Sequence, residues 1–106
     1  METVNERTTS IITVAFFDED EAAVTPSAAS YKIDDIGSST AILASTAIGA
    51  LDTTVDLTIT AAQNAILSET NLYESRKVTV TWTYGGGKQG TNEYIYRIKN
   101  LSGVTT

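Results

Sequence analysis

The chain has 106 residues, enough for one domain with one modest core, and it contains neither Cys nor His. That absence removes disulfides, thiol and imidazole nucleophiles and every Cys- or His-based zinc site. Seven basic residues against thirteen acidic give a net charge of −6, the wrong sign for neutralising phosphates or for settling on anionic lipid.

No run approaches the roughly 18 apolar residues of a membrane span. The opening Met-Glu-Thr-Val-Asn-Glu-Arg lacks the basic and then apolar regions of a secretory signal. Synthesis as a soluble cytoplasmic product is therefore expected, with no nucleic-acid or membrane partner.

In chain order, Met1, Glu2, Thr3, Val4, Asn5, Glu6 and Arg7 lead a polar stretch that ends at Thr9. With no periodicity of its own, it reads as a flexible N-terminal arm over 1–9, long enough to order against a neighbouring subunit and able to pair along a strand edge. Ser10 to Phe17 reads as a strand with Ile12, Val14 and Phe16 on one face and Ile11, Ala15 and Phe17 on the other. A strand apolar on both faces calls for cover on both. Asp18-Glu19-Asp20-Glu21 then reads as a solvated turn, because four adjacent carboxylates repel one another. Its spacing matches no calcium loop, and no metal or cofactor is expected.

Pro26 falls where a turn feeds a strand in which Ala29, Tyr31 and Ile33 alternate with Ser30, Lys32 and Asp34. Thr40 to Ser45 reads as a short edge strand. Val55, Leu57 and Ile59 alternate with Asp56 and Thr58. Thr60-Ala61-Ala62-Gln63 then matches a capping box, predicting one or two turns of helix. Tyr73 is expected to plug the end of the core.

From Arg76 onward, Val78, Val80, Trp82 and Tyr84 share one strand face, and Tyr94, Tyr96 and Ile98 share a face of the returning strand. The segment Gly85 to Thr91 joins them and is too long for a two-residue turn, so a mobile or bulged tip is expected. Gly85, Gly86, Gly87, Lys88 and Gln89 in that tip, with residues 1–7 of the arm, are the candidate partner-binding residues. The expected core is Val14, Phe16, Tyr31, Ile33, Val55, Leu57, Ile59, Val78, Val80, Trp82, Tyr96 and Ile98. The tail from Ser102 to Thr106 is polar and expected to fray.

Six or seven short strands with turns between them and one short helix predict an all-β fold, an antiparallel immunoglobulin-like β-sandwich over residues 10–104. A small Greek-key barrel is the second choice. Trp82 lies in a late strand and the Cys pair is missing, so an antibody-type domain is not expected.

The order of a Tyr-Lys-Ile strand, a Thr-Val-Asp-Leu-Thr-Ile-Thr-Ala-Ala-Gln segment, a Lys-Val-Thr-Val-Thr-Trp-Thr-Tyr strand, a Gly-rich tip and a Glu-Tyr-Ile-Tyr-Arg-Ile strand resembles the small immunoglobulin-like proteins and modules of tailed-bacteriophage virions. These include the N-terminal modules of baseplate upper proteins. The resemblance spans residues 10 to 104 and carries no catalytic residues. It implies a non-enzymatic virion structural protein, a capsid decoration or an adaptor on the neck, tail or baseplate, oligomeric in the particle and bound to other virion proteins.

Two other classes are weaker. A carbohydrate- or host-surface-binding module would use Tyr84, Tyr94 and Tyr96 beside the tip, but their alternation points them inward. Asp34 and Asp35 as an acid–base pair would point to opposite faces of a strand, the wrong geometry for glycoside hydrolysis.

Overall fold

Strict alternation over the twelve residues before Gly85–Gly87, and a looser one over the twelve after, builds the longest strand pair. The computed structural model describes residues 2–68 and 70–101. Its strands are β1 (Glu2–Asn5), β2 (Ser10–Ala15), β3 (Ala28–Asp35), β4 (Ala41–Ala47), β5 (Thr54–Ile59), β6 (Tyr73–Tyr84) and β7 (Lys88–Lys99). Met1, Glu69 and the tail from Ser102 to Thr106 lie outside the described residues.

One five-stranded sheet has the order β1-β7-β6-β3-β4, and β2 pairs with β5 in a second, two-stranded sheet. All pairings are antiparallel except that of β1 with β7, which is parallel. The fold is therefore all-β and sandwich-like, with its inner faces sharing one core. Val14, Leu57 and Ile59 from the small sheet, and Phe16 just beyond β2, pack with Ile33, Val78, Val80, Trp82, Tyr96 and Ile98 from the large one. Tyr31 and Val55, also expected inside, are half-buried against that core. Phe16 meets Trp82 edge-to-face, with centroids 5.4 Å apart, and so ties the sheets together at one end.

Four expectations need correction. The helix after Thr60 does not form among the described residues, although its capping box does: Thr60 N–H donates to Gln63 Oε1 at 3.0 Å, and Gln63 N–H to Thr60 Oγ1 at 3.2 Å. The turn stops after two bonds, from Asn64 N–H to the Thr60 carbonyl at 3.1 Å and from Ala65 N–H to the Ala62 carbonyl at 3.3 Å. Arg76 then takes the Gln63 and Ala65 carbonyls, and Glu74 takes the Leu67 and Ser68 N–H groups. Side chains from β6 thus occupy the backbone groups that a second helical turn needs.

The expected arm is partly sheet. Glu2–Asn5 pairs with Tyr96–Lys99 as an edge strand, Val4 and Glu6 are buried, and the Glu6 carboxylate accepts the Leu101 N–H. The tip is shorter than expected, because Tyr84 already pairs with Lys88. The turn is only Gly85, Gly86 and Gly87, each at positive φ (51°, 77° and 104°), where side chains are disfavoured. Lys88 and Gln89 belong to β7. Lastly, Tyr73 is exposed rather than a plug, its ring lying 4.3 Å from the Arg97 guanidinium.

Candidate functional site

The two expected partner-binding segments lie at opposite ends of β7. The glycine turn follows Tyr84↔Lys88, whereas β1 pairs only with residues 96–99, about 26 Å further along at ~3.3 Å per residue. They do not form one surface.

At the tip end the Asp18–Glu21 loop folds toward the start of β7. The loop is a small hairpin closed by the Phe17↔Ala23 bridge, and Asp18 Oδ1 accepts the N–H groups of Asp20 and Ala22. The Lys88 ammonium donates to Glu19 Oε2, and the Tyr84 hydroxyl donates to Glu19 Oε1 at 3.3 Å. The bond from Lys88 holds the Glu19 carboxyl below its ordinary value, and the Lys88 ammonium is raised in return. Desolvation, then the Glu19 charge, pushes the Tyr84 phenol up. The Trp82 indole N–H donates to the Phe17 carbonyl at 3.2 Å.

Between this loop and residues 89–92 opens a cleft of about 580 Å³. Phe17, Trp82 and Tyr84 form its apolar part, and Asp18, Glu19 and Glu21 its acidic part. Phe17 is 44% exposed, which leaves the outer face of the strand before it uncovered together with Ile11.

At the opposite end a buried ion network sits under a second cleft of about 490 Å³. Arg76 Nε donates to Asp35 Oδ1 at 2.9 Å and its Nη2 to Glu74 Oε1 at 2.7 Å. Burial alone would raise the Asp35 carboxyl, but the Ser38 hydroxyl, the Ser38 N–H and Arg76 outweigh it and hold the group below its ordinary value. Glu74 follows the same balance: burial raises it, and the Leu67 N–H, Asn71, Arg76 and the Ser68 N–H bring it lower. Tyr96, buried beside this network, is pushed up to about 12 by burial, with Arg76 pulling the other way. Its hydroxyl donates to Asn64 Oδ1 at 2.8 Å, and Asn64 in turn holds the Thr8 carbonyl.

This network has the appearance of chemistry but the bonding of a structural brace. The ion-paired carboxylates are saturated by groups of the chain itself, so neither stands free to hold a proton for a substrate. Around the cleft above it, Ile36, Leu67, Leu72 and Tyr73 are exposed, with Leu72 at 78%. Among the described residues no three carboxylates are placed to hold a metal ion.

Of the residues named from sequence, Gly85, Gly86, Gly87, Lys88 and Gln89 lie beside the acidic loop. Thr3, Asn5 and Arg7 are exposed at the other end, and Arg97 Nε bonds Thr3 Oγ1 at 2.9 Å. Tyr84 and Tyr96 are buried and bonded through their hydroxyls, so the three tyrosines make no exposed platform for a sugar. Phe17 and Arg76 were not singled out. The signal for Arg76 was present: extending the Val78, Val80, Trp82 alternation backward by two places Arg76, then Glu74, on the apolar face. Comparison with protein-family models, with curated proteins and with solved structures returns no match.

Proposed function

We propose that the chain is a non-enzymatic, immunoglobulin-like structural module of a tailed-bacteriophage virion, a capsid decoration or a neck, tail or baseplate adaptor that works through contacts with other virion proteins. The observation that carries the reading is the strand order. The run β7-β6-β3 in one sheet and the pair β2-β5 in the other correspond to the G-F-C and B-E sets of an immunoglobulin sandwich. Trp82 on β6 departs from the antibody pattern, which keeps its tryptophan on strand C.

The Asp35 and Glu74 carboxylates of the ion network are spent on Arg76 and on backbone N–H groups, which supports a role without catalysis there. The exposed apolar side chains Ile36, Leu67, Leu72 and Tyr73 gathered at one end support a role in protein contacts. The test is co-purification of the tagged chain with capsid or tail proteins of assembled particles, followed by location of the domain in the particle density. Recovery of all the chain as free protein, with none sedimenting with particles, overturns the reading.

A further inference from the structure

We infer that the uncovered edge of β7, residues 88–94, is a docking site for an extended basic segment of a partner protein, which adds to the sheet in line with β1.

The large sheet has two edges, and they differ. On the β4 side the β3–β4 pairing carries register shifts between Tyr31 and Ile33 and between Ile33 and Asp34, and such irregularity discourages an added strand. On the other side, β7 pairs with β6 in unbroken register from Lys88 to Lys99, but β1 covers only Tyr96–Lys99. Residues 88–94 have no main-chain partner on that side among the described residues. This is about 23 Å of regular strand at ~3.3 Å per residue, and every second residue turns its N–H and C=O outward.

The usual protections of an edge are few here. There is no proline and no bulge, the one lysine, Lys88, is held by Glu19, and local cover is limited to the exposed Glu93, whose N–H donates to Asn92 Oδ1 at 2.9 Å. That this edge accepts a strand is shown by β1, which already lies on its continuation and is parallel to it.

The surroundings select the occupant. Gly90, Asn92 and Tyr94 share the sheet face of Trp82, Val80 and Val78 opposite them, with Asn92 exposed at the cleft, so side chains of an added strand on that face would meet the mouth of the tip-end cleft. Three carboxylates line that cleft, from Asp18, Glu19 and Glu21, against the single Lys88 ammonium, and the half-exposed Phe17 ring offers a face to a cation. A second copy of this chain is a poor fit, since each copy carries a net charge of −6. A lysine- or arginine-bearing extended segment satisfies both the open backbone and the charge.

The inference rests on the reading of the chain as a protein-binding module, but its test uses the isolated full-length chain and so fails or succeeds apart from particle association. Fluorescein-labelled octapeptides of alternating lysine and valine, an analogue of equal charge with two valines replaced by proline, and a glutamate–valine analogue are titrated at about 0.15 M salt, where distant surface charges are screened. The lysine–valine peptide is expected to bind and to shift or protect the amides of residues 88–94. The proline peptide, lacking donors for the ladder, is expected to bind at least about tenfold more weakly. Asp20→Lys with Glu21→Lys changes two exposed side chains outside the core. It should weaken the lysine peptide about tenfold or more and admit the glutamate one. Equal binding of the proline peptide, perturbed amides elsewhere than residues 88–94, or self-association of the chain through β7 overturns the proposal.

Discussion

Arg76 and Asp35 stand directly opposite each other in the β3–β6 ladder, and the Arg76 Nε donates to Asp35 Oδ1 at 2.9 Å with both side chains withdrawn from water. The guanidinium continues to Glu74 and to the Gln63 and Ala65 carbonyls, so one side chain ties two strands of the large sheet to the turn after β5. Removing it leaves two buried carboxylates without their cation. Arg76→Ala is expected to lower unfolding free energy by about 3–5 kcal/mol in urea titrations. Arg76→Lys keeps the charge but not the fork, and is expected to fall between the two.

The same network sets an acid limit. Asp35 and Glu74 have folded values below their ordinary 3.8 and 4.5, so the stability they contribute is fully present above those values and is lost as pH falls through the lower, folded ones. The urea midpoint should begin to fall below about pH 5. Asp35→Asn, less stable at neutral pH, should show a flatter acid limb.

Tyr96 sets an alkaline limit by the opposite sign. Its folded value is raised from 10.0 to about 12, so its contribution is complete below 10.0 and is lost as pH rises toward the folded value. Loss of stability over that range in the native chain, and its reduction in Tyr96→Phe, is the expected pair of results.

Trp82 lies against the backbone of Gly90, its partner across the β6–β7 ladder, and a Cβ at position 90 would stand 2.4 Å from Cε2 of the indole. Gly90→Val is expected to displace the ring and lower stability by about 1–3 kcal/mol, with an altered near-ultraviolet dichroism signal. Trp82→Ala should be worse, at about 3–5 kcal/mol.

Deleting residues 2–6 removes β1, the buried Val4 side chain and the Glu6 carboxylate that holds the Leu101 N–H. A Val side chain alone is worth roughly 1.5 kcal/mol of burial. The melting temperature of the truncated chain is expected to fall by at least about 4 °C, since ~1 kcal/mol corresponds to about 4–8 °C in a domain of this size. A segment acting only as a loose arm would leave it unchanged.

Local periodicity carried much of the strand plan. A period of two is imposed by the pleat itself, so Val78, Val80 and Trp82, or Leu57 and Ile59, declare their face without any partner in view. The same period, extended backward, puts Arg76 and Glu74 inward, but the carboxylate that makes an inward arginine tolerable, on Asp35, is 41 residues away in sequence. The capping box at Thr60 was equally legible, since it spans three residues. Whether a helix follows it depends on who claims the next backbone groups, and those claimants sit on β6.

What only the tertiary structure decided is what long-range pairing decides. Val4 is one apolar residue in a polar stretch, and its four-residue strand exists because β7, more than ninety residues later, offers an edge to it. Likewise the cleft beside Gly90 joins the Asp18–Glu21 loop to a strand that begins at Lys88. A strand's faces are written in its own side chains, whereas its neighbours are chosen by burial and hydrogen bonding across the whole chain. For this protein strands β2 to β7 could therefore be read from the sequence, but β1, the clefts and the partners of the buried arginine could not.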